Sequence, residues 1–292
     1  MNTSSHIRLI VTAFSAGAML GAYAAYAAIT WHRYGRIAPA GGDERDDLLD
    51  RFMPTYDIVE RHRIGVAAAA GVTLAAAREQ DLFESPLVRG IFRAREIVLG
   101  TVPDRRPRPR GLIATVQALG WGILAEAPGR ELVVGAVTRP WEPNVTFRAL
   151  PPEEFAAFSQ PGFVKIAWTL RADPGDGETS IFRTETRAIA TDATARTRFR
   201  RYWALTSCGI VLIRRLLLRP LKREAERRAL KASVARDVPR AGTSGDWPRG
   251  WWPRPSTTGT EPSCAERRLG HSHPANAKDA ASDSAGDASG RT

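Results

Sequence analysis

Cysteine and histidine are scarce in this chain, and their scarcity removes several kinds of chemistry. Two cysteines, Cys208 and Cys264, cannot build a disulfide framework. Cys264 lies in a low-complexity tail, so no bridge between the two is expected. Of the five histidines, only His62 falls where the composition is that of a folded domain. A histidine-rich metal site or a Ser-His-Asp triad needs more imidazole than that. His62 stands alone and reads as a structural histidine. A P-loop, a dinucleotide-binding fingerprint, zinc-ligand spacing and a nucleophile elbow are also missing. The "GWG" at Gly120 to Gly122 is too short to cradle a phosphate. No cofactor and no metal are expected.

Acidic residues are scarce in one place only. Between Arg196 and Arg236 there are 13 Arg and Lys against two acids, Glu224 and Glu226. That leaves 29 of the 42 basic and 29 of the 31 acidic residues for the rest of the chain, which is balanced. The net charge of +11 therefore belongs to one local element. A local basic element favours an anionic surface as neighbour, not a protein that coats nucleic acid.

Long apolar runs are absent except for one. Leu9 to Trp31 holds 23 residues without a charge, enough to span a ~30 Å hydrocarbon core. Trp31 and Tyr34 would then sit at an interface. His32, Arg33 and Arg36 follow the run and only Arg8 precedes it, which places the bulk of the chain in the cytoplasm. The rival reading is a signal peptide cleaved within "AYAAYAA", with a secreted or periplasmic product. The expected organisation is a flank at 1–8, a transmembrane helix at 9–31, a linker at 32–47, a domain at 48–235 and a disordered tail at 236–292. The tail is rich in Pro, Gly, Ser, Thr, Ala and Asp and buries too little to fold. Its "DWPRGWWPRP" is one aromatic-basic patch.

Within the domain the pattern predicts a strand from Tyr56 to Ala67, with Ile58, Glu60, His62, Ile64 and Val66 on one parity. Helices follow at Gly71 to Glu84 and from Ser85-Pro86 to Gly100. "PDRRPRPR" at Pro103 to Arg110 reads as a loop. Strands are expected at Gly120 to Glu126, Glu131 to Thr138 and Val145 to Leu150, with a short helix at Pro152 to Phe158. "DPGDGE" joins two further strands, Phe163 to Ala172 and Thr179 to Thr191. Asp192 is placed to cap a long helix reaching about Ala235, with a break expected at Ser207-Cys208-Gly209 and a kink or restart at Pro220.

An antiparallel sheet followed by one long helix is the order of an α+β, START-like helix-grip fold. The segments "LLDRFMPTYDIVERHRIGVAA", "SPLVRGIFRAREIVLG", "ELVVGAVTRPW" and "TETRAIATDATARTRFRRYW" resemble an uncharacterised bacterial group within the SRPBCC superfamily of START, polyketide cyclase and plant allergen relatives. The resemblance covers about Leu48 to Ala229. It implies a cavity under the C-terminal helix that takes a hydrophobic or amphipathic small molecule. It does not imply one chemistry, because the superfamily includes carriers, cyclases and proteins with none.

Glu185 and Arg187 pose the sharpest question. They share a parity with Ile181, Arg183 and Ile189, opposite Phe182, Thr184, Thr186 and Ala188. If the threonine parity faces the helix, Glu185 and Arg187 are solvated and form cross-strand pairs. If the register is reversed, Glu185 is a carboxylate in an apolar cavity and Arg187 an anion donor. With Tyr202 they are the catalytic candidates of a cyclase or hydrolase reading. Trp141, Trp168, Thr184, Thr186 and Trp203 are the ligand-binding candidates. Arg214, Arg215, Arg219, Lys222 and Arg223 border an apolar stripe and read as contacts to anionic lipid. A third reading is a non-catalytic membrane protein that binds partners.

Overall fold

The computed structural model describes residues 3–37, 41–100 and 109–237. The expected tail beyond Asp237, residues 38–40 of the linker and residues 103–108 of the basic loop lie outside the described residues. In chain order the elements are α1 (Thr3–Arg33), a 3-10 turn (Gly42–Glu44), α2 (Asp47–Asp50), β1 (Ile58–Val66), α3 (Ala70–Glu79), α4 (Pro86–Leu99) and α5 (Leu112–Ala118). Then come β2 (Gly122–Ala127), β3 (Glu131–Thr138), β4 (Phe147–Arg148), α6 (Pro152–Ala157), β5 (Val164–Pro174), β6 (Ser180–Ala190) and α7 (Ala193–Asp237).

The strands form one six-stranded sheet in the order β1-β6-β5-β3-β2, with β4 added to β3. Every pairing is antiparallel. Helices α3, α5 and α7 cover one face, and α2, its following segment and α6 cover the other. This is the α+β helix-grip layout: an antiparallel sheet with a long C-terminal helix across it.

Local chemistry explains most boundaries. Ser85 caps α4 by accepting from the Val88 amide, and Gly100 closes it at φ 64°. Asp192 caps α7: its Oδ1 accepts from the amides of Thr194 and Ala195, while Oδ2 accepts from Gly162 on the preceding loop. At Gly120, φ is 98° and an added Cβ would lie 2.1 Å from the Phe147 carbonyl oxygen, so only glycine lets β4 approach.

Several expectations need correction. The third strand shrinks to Phe147–Arg148, and α2 and α5 were not anticipated. Helix α7 runs unbroken through Ser207-Cys208-Gly209 and through Pro220. Proline frees carbonyls one turn back. Gln80 Nε2 donates to the Leu217 carbonyl at 3.0 Å, next to the Leu216 carbonyl that the missing Pro220 N–H leaves without its helix donor.

Helix α1 docks by its C-terminal part. Tyr23 Oη donates to the Leu205 carbonyl, Tyr26 and Ser207 hydroxyls meet at 3.1 Å, and Arg200 stacks over Trp31 at 4.2 Å. Tyr34 packs edge-on against Phe199 and donates to Asp57. Trp31 and Tyr34 are thus joints within the domain, not a free interfacial belt. Among the described residues no helix is long and apolar enough to cross a membrane, so the transmembrane expectation for 9–31 is not supported.

Candidate functional site

Strand β6 decides which residues meet under α7. Phe182 packs with Leu221 of α7 in one apolar cluster, and Ala188 packs with Phe199 and Trp203 in another. Arg214 Nη1 donates to Thr184 Oγ1 at 3.3 Å. The threonine parity therefore faces the helix, and Glu185 and Arg187 point to the opposite face.

They are not solvated there, contrary to the expectation attached to that parity. Residues 46–57 lie over them and leave Glu185 and Arg187 buried, at 5% and 2% exposure. Arg61, the cross-strand partner of Glu185, reaches its Oε2 from Nε at 2.9 Å. Arg187 Nε takes Oε1 at 2.7 Å, and its Nη1 donates to the Met53 carbonyl at 2.7 Å and to Asp50. Tyr56 lies against the Arg187 guanidinium and accepts from Arg61. Burial alone would lower the Arg187 pKa, but its bonds to Glu185 and Asp50 outweigh it and hold the pKa above the usual value. A carboxylate shared by two arginines is a fastener. It lies across the sheet from any ligand held by α7.

The same face carries a second carboxyl device. Asp46 accepts from the Leu49 amide at 2.8 Å and so caps α2. Glu131 is buried beside it. Burial first, and then the hydrogen bond and charge of Asp46, push Glu131 up to about 8 against the opposing charges of Arg171 and Arg130.

Under α7 the sheet presents a polar belt between two apolar clusters. Toward the N-terminal end of α7, Ile58, Val164 and Ala188 pack with Phe199 and Trp203, and Trp141 and Tyr202 are half-buried against them. Toward the C-terminal end, Val66, Trp168, Leu170 and Phe182 pack with Leu221 and Ala225. Between them lie Glu60 opposite Thr186 and His62 opposite Thr184. The helix stripe above reads Phe199, Trp203, Ser207, Ile210, Arg214, Leu218, Leu221 and Ala225, so Arg214 stands over the belt.

This belt is incompletely satisfied. Among the described residues Thr186 Oγ1 and His62 Nε2 are buried without a hydrogen-bond partner, an arrangement that costs stability unless something else fills it. Burial, then Arg214 and Arg215, lower His62 to about 4, so its ring is neutral at physiological pH. Burial raises Glu60 while the same two arginines oppose the rise. Burial lowers Arg214 to about 10, against the pull of Glu60, which leaves it charged. From residue 208 to 220 no position of α7 is fully buried. The fully buried positions of the helix lie on either side of the belt, up to Ser207 and from Leu221 onward.

The expected ligand residues thus divide. Thr184 and Thr186 lie in the belt, Trp168 and Trp203 anchor the two flanking clusters, and Trp141 stands beside the second. Tyr202 stacks on Phe199. Of the expected lipid-contacting residues, Arg214 turns inward to Thr184, and Lys222 donates to the Gly65 carbonyl and to Glu226. Arg215, Arg219 and Arg223 are exposed. One cleft of about 350 Å³ lies beside Arg78, Gly111 and Ile113, and another of about 150 Å³ has the belt residues His62 and Thr184 in its lining together with Arg61, Arg171, Arg183 and Glu185. Among the described residues no cluster of His, Cys, Asp and Glu is arranged to hold a metal.

No family model and no curated protein matches the chain. Among solved structures it is similar to CalU16 from Micromonospora echinospora, at 12% identity and TM-score 0.21, over 59% of this chain and 86% of that one. It is similar to the ZhuI aromatase/cyclase from a Streptomyces species, at 14% identity and TM-score 0.19, over 59% and 94%. Norcoclaurine synthase from Thalictrum flavum aligns at 11% identity and TM-score 0.15, over 60% and 98%. Likenesses this slight add no weight to the topology itself.

Two outcomes follow from the charged face. Arg187→Met leaves Glu185 with one arginine and Asp50 with none, and should cost about 3–5 kcal/mol of stability by urea unfolding, as breaking a buried pair does. A cost near zero would show the pair to be dispensable. Glu131 is raised in the fold from an ordinary value of about 4.3. Its favourable contribution is full below that value and declines as pH rises toward about 8. The urea midpoint should fall across that window, and Glu131→Gln should flatten the fall.

Proposed function

We propose that this chain is a helix-grip binding domain that holds an amphipathic small molecule between the sheet and α7. The observation that supports the reading is the incompletely buried seam of α7 at 208–220 above two buried polar atoms without partners among the described residues, Thr186 Oγ1 and His62 Nε2. A polar group seated there completes the belt. Its apolar part extends over either flanking cluster, each of which ends in a tryptophan, Trp168 or Trp203. Thr184 and Thr186 are the inner polar contacts on this reading.

A second reading is added to the first by another observation. Met19, Leu20 and Ile29 on α1 and Leu205 and Leu212 on α7 are exposed, and Arg215, Arg219 and Arg223 on α7 are exposed as well. Exposed apolar residues together with unburied arginines suit the surface of an anionic bilayer. The proposal is therefore a domain that meets its ligand at the cytoplasmic face of a membrane.

Native mass spectrometry of the full chain purified from cells, with organic extraction of whatever it carries, tests the first reading. A stoichiometric small molecule is expected. An empty protein that also fails to bind added amphiphiles sinks it. Co-sedimentation with vesicles tests the second. Binding should require phosphatidylserine and weaken with salt. Equal recovery with neutral vesicles would remove the role of the arginines.

A further inference from the structure

The belt under α7 has a charge balance that a ligand must answer. From β1 it receives one carboxyl, Glu60, and one imidazole, His62. From β6 it receives two hydroxyls, Thr184 and Thr186, and from α7 the guanidinium of Arg214, with Arg215 close enough to act on Glu60 and His62. One carboxyl faces two guanidiniums and a neutral ring. Only Nη1 of Arg214 is engaged with Thr184, so the rest of its five N–H groups are not used by that bond.

The unpaired groups also favour one kind of partner. Thr186 is 8% exposed, and its hydroxyl has no partner. His62 Nε2 is buried and unpaired on the neighbouring strand, diagonal to Thr186 across the β1–β6 ladder. A diagonal pair has Cβ atoms ~7 Å apart, a separation that one two-oxygen group bridges. The threonine O–H, an Nε2–H tautomer of His62 and the free N–H groups of Arg214 are all donors. An acceptor with two oxygens and one negative charge satisfies them together, and charge-assisted bonds of this type are the strong ones.

We infer that the α7 seam is selective for a monoanionic amphiphile, a carboxylate on a hydrocarbon chain, whose head is held by Arg214, Thr186 and His62. This rests on the proposal that the seam is a ligand site and adds the chemistry of its occupant. Ile64 and Leu218 on one side, and Ile166 and Ile210 on the other, are half-buried apolar residues beside the belt that would line the chain. Glu60 works against a second negative charge, which disfavours a dianionic head.

The test compares three molecules that differ only in their head: decanoate, decanol and decylamine. Binding to the full-length chain is followed at neutral pH by calorimetry, with tryptophan fluorescence reporting on Trp168 and Trp203. Decanoate should bind about tenfold or more tighter than decanol, the scale of one hydrogen bond to a charged group, and decylamine most weakly. Arg214→Gln should bring the affinity for decanoate down to that for decanol. Should that variant fail to fold, Thr186→Val, nearly the same shape, should reduce decanoate affinity several-fold and by more than it reduces decanol affinity. Equal affinity for decanoate and decanol in the unaltered chain overturns the inference and leaves the binding-domain reading standing. Failure of all three molecules to bind overturns both.

Discussion

Glu185, gripped between Arg61 and Arg187, ties the edge strand, its neighbour and the segment that covers them into one charged network. Arg61 comes from the edge strand and Glu185 and Arg187 from its neighbour. Asp50 and the Met53 carbonyl come from the short segment that covers the sheet. Charges this deep gain little over an apolar filling of the same shape, but losing one member strands the others. The network therefore fixes register as much as it adds stability. A slip of one residue between β1 and β6 would turn Arg61 and Glu185 to different faces. The same register places His62 opposite Thr184 and Glu60 opposite Thr186, so the charged back of the sheet sets the geometry of the polar belt in front.

That belt explains an otherwise odd helix. Helix α7 is 45 residues long and strongly basic, and it contains an internal proline. It is anchored at one end by Phe199 and Trp203 and at the other by Leu221 and Ala225. Between these anchors it carries Ser207 and Arg214 where a sealed core would carry leucine. Gln80, just past the end of α3, donates to the Leu217 carbonyl one turn before Pro220, and the helix stays continuous across the point where the sequence invites a break.

Much of this was legible before any coordinates. The Asp192 cap, the Ser85 and Gly100 ends of α4, the β2–β3 turn and the β5–β6 hairpin all follow from local chemistry that the chain spells out over a few residues. The two parities of β6 were legible, with Phe182 and Ala188 apolar on one side and Arg183, Glu185 and Arg187 charged on the other, but which of them faces the helix stayed open until the packing of Phe182 and Ala188 against α7 decided it. Parity tells which face a residue takes, not what lies over that face. Residues 46–57 look polar and form only one turn of helix, yet their leucine, phenylalanine and methionine cover the charged side and bury it. Arg214 was misplaced for a related reason. Its basic neighbours mark a surface helix, and only the strand beneath shows that Arg214 lies on the inner stripe. Glu60 and His62 gave a signal that was available: two polar residues on the apolar parity of β1, matched by two threonines on that of β6.

The separation of the paired strands has a consequence for how the chain is made. Arg61 and Glu185 are 124 residues apart, so β1 leaves the ribosome long before β6, its neighbour in the sheet, exists. Until then it is an extended segment with both edges open, the kind that joins other chains edge to edge. Its middle reads Glu60, Arg61, His62, Arg63 between Val59 and Ile64. Four consecutive polar residues in a nine-residue strand interrupt the apolar run that would otherwise seed aggregation. Residues that later face the polar belt and the charged network thus guard the nascent strand while it waits for β6.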